Sequence, residues 1–423
     1  MRRVALVATL LAVVLAGCAA PVVDDAIGEE GNVAWDGELH VDESDGLNES
    51  ERRQVIDRAM ARLEYIRGLE FDERVPVSVI SREQYLANRS GGGGNETFHR
   101  WNDQVWEGLF LVSEEESFHE VQNSTLGSNV LGYYSPSQDE IVIVSDSPTP
   151  QLSRGTLVHE LVHALQDQHF GLDSNPQTQD TQLAHRSVTE GEANLLQRLY
   201  EQRCGIEWSC IEKPTAGGGG GSPPNPGVFL VILQPYVTGP SFVETVQERA
   251  GWQGVDELHD DFPASTEQVI HPETYPDEAP VSVTVPDRST DRWDRFDLAQ
   301  TGDTLGEASI FAMLMANDVF GGSVSRYGFQ SEPSTGWGGD TLVPYRDGDR
   351  YGYVWKTVWD TERDAREFLD AYREVLDEHS AEARGDGVYV VPESNPYGDA
   401  FRVTRTGDTV TIVNAPTVAD LGD

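Results

Sequence analysis

The stretch TLVHELVHALQDQHF, Thr156 to Phe170, carries His159, Glu160 and His163 in a His-Glu-x-x-His spacing. Its apolar positions Leu157, Val158, Leu161, Val162 and Leu165 predict a single helix seated in a core. Residues four apart in a helix stand one turn apart on the same face. His159 and His163 therefore project side by side, and imidazoles so spaced can hold one Zn2+ at about 2.0–2.1 Å. Glu160 flanks that face as a general base for a water acidified by the ion, and the reaction such a pair serves is hydrolysis of a polarised amide. Asp167, four residues beyond His163, falls on the same face and is expected to accept the outer N–H of a ligand histidine.

A catalytic zinc takes three protein ligands and keeps one position open. For the third, the segment TEGEA offers Glu190 and Glu192. Two helical residues that close in sequence point to different sides, so at most one faces the metal. His185 competes for the role, whereas His169, six residues past His163, faces away. VIHPETY offers His271 as an electrophile for a developing oxyanion, with Tyr275 close by. Pro272 disfavours helix at His271 and predicts a loop crossing the cleft. The segment EIVIVS, just before the histidine helix, is expected to supply a strand edge for substrate backbone. Glu307 in TLGEAS reads either as support for the site or as an acid at a helix start. The aromatic series Tyr345, Tyr351, Tyr353, Trp355 and Trp359 reads as sheet packing rather than a sugar-binding platform.

These residues need elements to position them. LNESERRQVIDRAMARLEYIRGLEF predicts a helix that begins near Asn48 or Ser50, and VPVSVI a strand. NVLGYYSPSQDEIVIVS predicts a hairpin turning at SPSQD, with EIVIVS buried. Ser153 is placed to cap the histidine helix, and a second helix is expected from about Asp180. Further on, DTLVPYRDGDRYGYVWKTVWD predicts a hairpin at Asp347-Gly348, a helix capped by Thr361 follows, and FRVTRTGDTVTIVNA predicts a hairpin at Gly407-Asp408. The fold class is α+β: a helical core with short sheets, then a hairpin-helix-hairpin portion.

The chain has 423 residues, enough for two or three domains. Acidic residues outnumber basic ones 72 to 30, for a formal net charge of −42. Repulsion on that scale opposes compaction and is screened by salt, so a high-salt setting and salt-dependent folding are expected. A chain so acidic lacks the basic face that nucleic-acid binding requires. MRR followed by VALVATLLAVVLA has the anatomy of an export signal. The ending LAGC resembles a lipobox, which implies cleavage after residue 17 and lipidation of Cys18, tethering the chain to the outer face of the cell membrane. The remaining cysteines, Cys204 and Cys210, read as a disulfide in an exported chain. Asn-x-Ser/Thr sequons at Asn48, Asn88, Asn95 and Asn123 fit glycosylated surface loops. The expected organisation is a signal peptide over 1–17, a lipid-anchored acidic tether over 18–45, a main domain over 46–335 with a Gly/Pro-rich insertion at 213–227, and a C-terminal portion over 336–423.

HELVHALQD together with TEGEA resembles the gluzincin metallopeptidases, which carry an HExxH helix, an Asp four residues on and a Glu ligand from the next helix. Their aminopeptidase branch has Asn-Glu-Gly-x-Ala around that Glu, similar to Thr189–Ala193 here. The resemblance implies a zincin-like core with Glu190 as third ligand, and Glu192 as a group behind the ligands or one that meets a substrate amine. The 27 residues from His163 to Glu190 exceed the usual gap, and GLDSNPQTQD reads as an extra loop. Residues from about 130 to 375 also resemble a family of uncharacterised haloarchaeal surface proteins with bacterial relatives, through LGYYSPSQDEIVIV, STEQVIHPETY, DTLGE and the GWGGDTLVPY segment. The function expected is zinc-dependent cleavage of a peptide or protein at the cell surface. The alternatives are a non-catalytic surface protein stabilised by zinc, and an adhesin or sugar-binding module.

Overall fold

A computed structural model describes residues 26–89, 95–126, 130–147, 149–150, 152–172, 176–211, 223–320 and 327–422. The expected signal peptide and Cys18 lie outside these residues, as does most of the Gly/Pro-rich segment.

Folded structure begins earlier than the expected tether allows. β1 (Glu29–Glu30) and β2 (Val33–Ala34) form a small hairpin that packs on α1 (Glu49–Arg67). Trp35 stacks on Tyr65 of α1 with ring centroids 4.0 Å apart, and its carbonyl accepts from Arg62. Residues 26–45 are therefore part of the domain, because an indole and its backbone partners anchor them. Asn48 caps α1, accepting from the Ser50 and Glu51 N–H groups while Glu51 reaches back to the Asn48 N–H.

β3 (Val77–Ile80), α2 (Arg82–Arg89), α3 (Glu96–Glu107), α4 (Phe118–Leu126), β4 (Gly132–Ser135) and β5 (Glu140–Val144) follow. The expected hairpin is β4–β5, and β3 pairs parallel to β5, giving the order β3-β5-β4. The EIVIVS strand is thus central, with both edges used, and β4 holds the edge instead. Next come α5 (Arg154–Phe170), α6 (Gln179–Arg203) and α7 (Pro226–Asp260). Pro226 and Gly227 open α7, so the insertion ends sooner than expected. By length and composition α7 matches a membrane span, but much of its most apolar stretch is buried in this fold. Its helical path breaks at Gly251, whose φ of 70° is left-handed.

α8 (Thr266–Ile270), β6 (Asp294–Arg295), α9 (Gly306–Ala316), β7 (Trp337–Asp347), β8 (Arg350–Trp359), α10 (Glu362–Glu378), β9 (Glu382–Gly385), β10 (Val388–Val390), β11 (Ala400–Thr406) and β12 (Thr409–Ala415) complete the chain. Seven strands form one sheet in the order β6-β7-β8-β12-β11-β10-β9. Both expected hairpins are present, joined edge to edge through β8 and β12. A boundary at 336 does not separate two cores. One buried cluster runs from Trp101 and Val105 through Phe311 to Trp337, Trp355 and Phe368. The sheet itself starts at Asp294. The aromatic series is packing: Trp355 and Trp359 are fully buried, and Tyr353 and Tyr345 nearly so. Tyr351 is half-buried and packs against the same core. The architecture is α+β.

Candidate metal centre

α5 forms where the sequence expects it. Ser153 accepts from the Thr156 N–H at its start, and Leu157, Val158, Leu161, Val162 and Leu165 bury one face against α1 and α6. That packing turns His159 and His163 toward α6. α6 starts at Gln179 under a Thr178 cap, so Glu190 lies three turns into it. Of the interval between His163 and Glu190, α5 accounts for the part up to Phe170 and α6 for the part from Gln179, which leaves the expected extra loop as the connection between the two helices.

Across this helix pair, Glu190 Oε2 lies 3.1 Å from His159 Nε2 and 3.3 Å from His163 Nε2, and the two Nε2 atoms are 3.1 Å apart. Among the described residues these three form a group of ligand type, with one donor atom each. Ligands about 2.0–2.1 Å from a tetrahedral zinc stand about 3.3 Å from one another, so the triangle matches one face of such a site. The protonation pattern fits as well. Gln166 Nε2 donates to the Thr189 carbonyl at 3.0 Å and to Glu192 Oε2 at 2.8 Å, which directs its Oε1 to His163 Nδ1 at 2.9 Å. Nδ1 must then carry a proton, which leaves Nε2 as the ring nitrogen directed at the cluster. Burial opposes ionisation of Glu190, but His163 and His159 outweigh it and hold the carboxyl well below its ordinary range. Burial likewise opposes charging of His163, and Glu190 outweighs it, raising the imidazole to about 9.

Of Glu190 and Glu192, only Glu190 faces the histidines. Glu192 is fully buried behind them. It accepts from Arg67 Nε at 2.6 Å and from Gln166, and lies 2.8 Å from His259 Nε2. Arg67 also pairs with Asp256 and lies over the Trp252 ring. These partners hold Glu192 down at about 2 against the push of burial. Its environment is closed, so it does not meet a substrate amine. Asp167 departs from expectation too. It accepts from the Tyr134 hydroxyl at 2.8 Å and the Leu172 N–H at 3.0 Å, and Gln166 meets the outer nitrogen of His163 instead.

Glu160 accepts the Tyr134 N–H from the β4 edge at 2.9 Å. Burial raises its carboxyl above the ordinary Glu value, with His163 and His159 pulling the other way. The cluster separates two cavities. One of about 320 Å3 is lined by His159 and Glu160 together with Thr156 and Gln197. The other, about 480 Å3, is lined by His163 and Glu190 together with Tyr134 and Arg186.

His271 lines neither cavity. It caps the C-terminus of α8 and pairs with buried Glu307 at 3.1 Å. Tyr275 donates to the Asp261 carbonyl, away from the cluster. The hydroxyl that does reach the site belongs to Tyr236 of α7, which donates to Glu190 Oε1 at 2.8 Å, with its ring nearly parallel to that of His159. Two glycines allow this. A Cβ on Gly191 would sit 2.5 Å from the Gly239 carbonyl carbon, and one on Gly239 would sit 2.3 Å from the Ser187 oxygen. α6 and α7 can cross closely only without those side chains. No motif marks Tyr236 in FLVILQPYVTGP. Gln166 was detectable, since it stands three residues past His163 on the same helical face. His169 points away, to the Glu70 carbonyl, and His185 stacks on Phe262.

Cys204 and Cys210 are joined by a disulfide with an S–S length of 2.07 Å. The four sequon asparagines lie at or within helices. Asn48 and Asn95 cap α1 and α3, and Asn88 and Asn123 fall within α2 and α4.

A family model described as a domain of unknown function (DUF8575) matches residues 294–423. That segment begins with β6 and contains none of the cluster residues. No curated protein matches the chain, and no solved structure matches it.

Proposed function

We propose that this chain is a zinc metallopeptidase with a zincin-like core of gluzincin type, held by lipidated Cys18 at the outer face of the cell membrane. The observation that carries the reading is the ligand triangle, with edges of 3.1, 3.1 and 3.3 Å on a helix pair and two cavities beside it. His159, His163 and Glu190 would hold the ion. When bound, Zn2+ supplies a Lewis acid that makes water a nucleophile near neutral pH and polarises a carbonyl.

Glu160 takes the proton of the attacking water and returns it to the departing amine. Its raised pKa suits that exchange. The Tyr134 N–H fixes one of its oxygens and so sets the direction of the carboxyl. Tyr236 supplies a hydroxyl donor for the developing oxyanion, the task first assigned to His271. Gln166 keeps His163 in its ligand tautomer, and Glu192 with Arg67 keeps Gln166 in place.

The test has two steps in molar salt. Purified protein is expected to hold one zinc per chain by elemental analysis. Glu160→Gln is expected to retain that zinc while cleavage of a peptide library falls about 10²–10⁴-fold. Absence of zinc would sink the reading. Zinc without Glu160-dependent cleavage would assign the ion a structural role.

A further inference from the structure

Along α6, Gln182, Arg186 and Glu190 recur at four-residue intervals and share one face. Glu190 belongs to the metal cluster. Gln182 and Arg186 line both the cavity of about 480 Å3 that reaches His163 and a further cavity of about 290 Å3. The two cavities therefore adjoin across α6, with Gln182 and Arg186 as their shared wall. The further lobe has an aromatic wall and a polar one, the latter including His99, His119, Gln300 and Asp303. Phe98, Trp101 and Trp106 of α3 and Phe118 of α4 face Val231 and Ile232 of α7. Trp106 and Phe118 stack with centroids 4.1 Å apart.

Arg186 is exposed at this shared wall and makes no ion pair or side-chain hydrogen bond among the described residues. Its state is informative in a chain with 72 acidic and 30 basic residues. Other guanidiniums near the core are engaged, Arg67 with Glu192 and Asp256, Arg74 with Asp57, and Arg198 with Glu244. A guanidinium left open amid excess carboxylate, at the junction of an aromatic-walled lobe and the His159–His163–Glu190 cluster, is an anion receptor in waiting.

We propose that Arg186 receives a substrate carboxylate and that the aromatic lobe takes the apolar side chain beside it. This rests on the metallopeptidase reading for the position of the scissile bond. Arg186 lies one helical turn, about 5–6 Å, before Glu190, and helical side chains lean toward the N-terminus. Its guanidinium is thus offset from the metal toward the aromatic lobe. An extended peptide advances about 3.3–3.6 Å per residue, which sets the carboxylate one or two residues from the bond to be cut. The substrate class is a peptide with a carboxylate and an apolar side chain at that distance. The carboxylate is either the chain terminus or an Asp or Glu side chain.

The experiment uses the zinc-loaded full chain carrying Glu160→Gln, so that binding is read by calorimetry without turnover. Four short peptides are compared: one ending in Phe with a free carboxylate, its C-terminal amide, the amide with Glu next to Phe, and the free acid ending in Gly. The Phe acid is expected to bind about 10–100-fold tighter than its amide, the range for a hydrogen-bonded charged pair. Arg186→Gln in the same background is expected to reduce that ratio to near one while circular dichroism is unchanged. Tight binding of the Glu-containing amide assigns the carboxylate to a side chain, and weak binding assigns it to the terminus. The Gly acid is expected to bind more weakly than the Phe acid. Equal binding of acid and amide, or discrimination that survives Arg186→Gln, overturns the proposal. Failure of the unsubstituted protein to cleave any peptide would overturn the peptidase reading alone, since the binding ratios do not depend on turnover.

Discussion

Gln166→Met isolates the orientation of His163 from its ligation. Methionine keeps the length and approximate volume of glutamine, but it offers no amide. Three contacts go: the 2.9 Å acceptor for His163 Nδ1, the 2.8 Å donor to Glu192 and the 3.0 Å donor to the Thr189 carbonyl. Their consequences separate. Without its acceptor, His163 no longer has its proton fixed on Nδ1, and loss of such an orienting partner weakens metal binding about 10–100-fold, or roughly 1.4–2.7 kcal/mol. Glu192 keeps Arg67 and His259, so no buried charge is left alone, and the metal-free protein loses about 1.5–3 kcal/mol for a bond to a charged group. The assay is competition for zinc against a chromophoric chelator in molar salt, with thermal unfolding of the metal-free protein alongside. Nitrogen chemical shifts of His163 report its tautomer. Wild-type zinc affinity and an unchanged tautomer in a folded Gln166→Met protein would refute the reasoning. Asp167→Asn is the contrast. Asp167 bonds Tyr134 and Leu172 rather than a ligand histidine, so its replacement is expected to leave zinc affinity unchanged.

Gly191→Ala places a Cβ 2.5 Å from backbone of Gly239, which has no side-chain freedom with which to yield. It is expected to cost about 1–3 kcal/mol, read as a lower Tm, and to pull Tyr236 off Glu190; an unaltered Tm would refute the close crossing. Stability is also expected to fall as pH rises from about 5 to about 8 at constant salt. Burial raises Asp180, Asp303 and Asp399 to about 7, and Asp340 to about 6. The folded protein therefore holds protons that the unfolded chain has released. That contribution is complete below the unfolded value of 3.8 and is lost as pH climbs through 6–7. Glu190 and Glu192 act oppositely, but their lowered pKa values confine the loss to pH below the ordinary Glu value of 4.5. A Tm that is flat or rising between pH 5 and 8 would contradict the assignment.

What the sequence by itself determined is local. The four-residue spacing of His159 and His163, the apolar face that seats their helix, the Ser153 and Thr361 caps and the Gly407-Asp408 turn all depend on residues a few positions apart. Helical and turn geometry operate over that range, so spacing alone fixes which side chains share a face. The choice of Glu190 over Glu192 needed the helix crossing as well, because spacing shows only that one of them is excluded. Tertiary structure alone decided the rest. Tyr236 reaches Glu190 across 46 positions, and Arg67 reaches Glu192 across 125. No periodicity encodes such pairs; they follow from where Gly191 and Gly239 let two helices meet. The same holds for β5, whose pattern reads as a buried strand but whose place at the centre of its sheet depends on β3, more than sixty residues earlier. His271 stands outside the cluster for this reason. Its loop-forming Pro272 is legible locally, while its partner Glu307 lies on α9 and turns it from the cleft. Motif spacing is a statement about one helix, and the cluster of His159, His163 and Glu190 with Tyr236 is a statement about how α5, α6 and α7 cross.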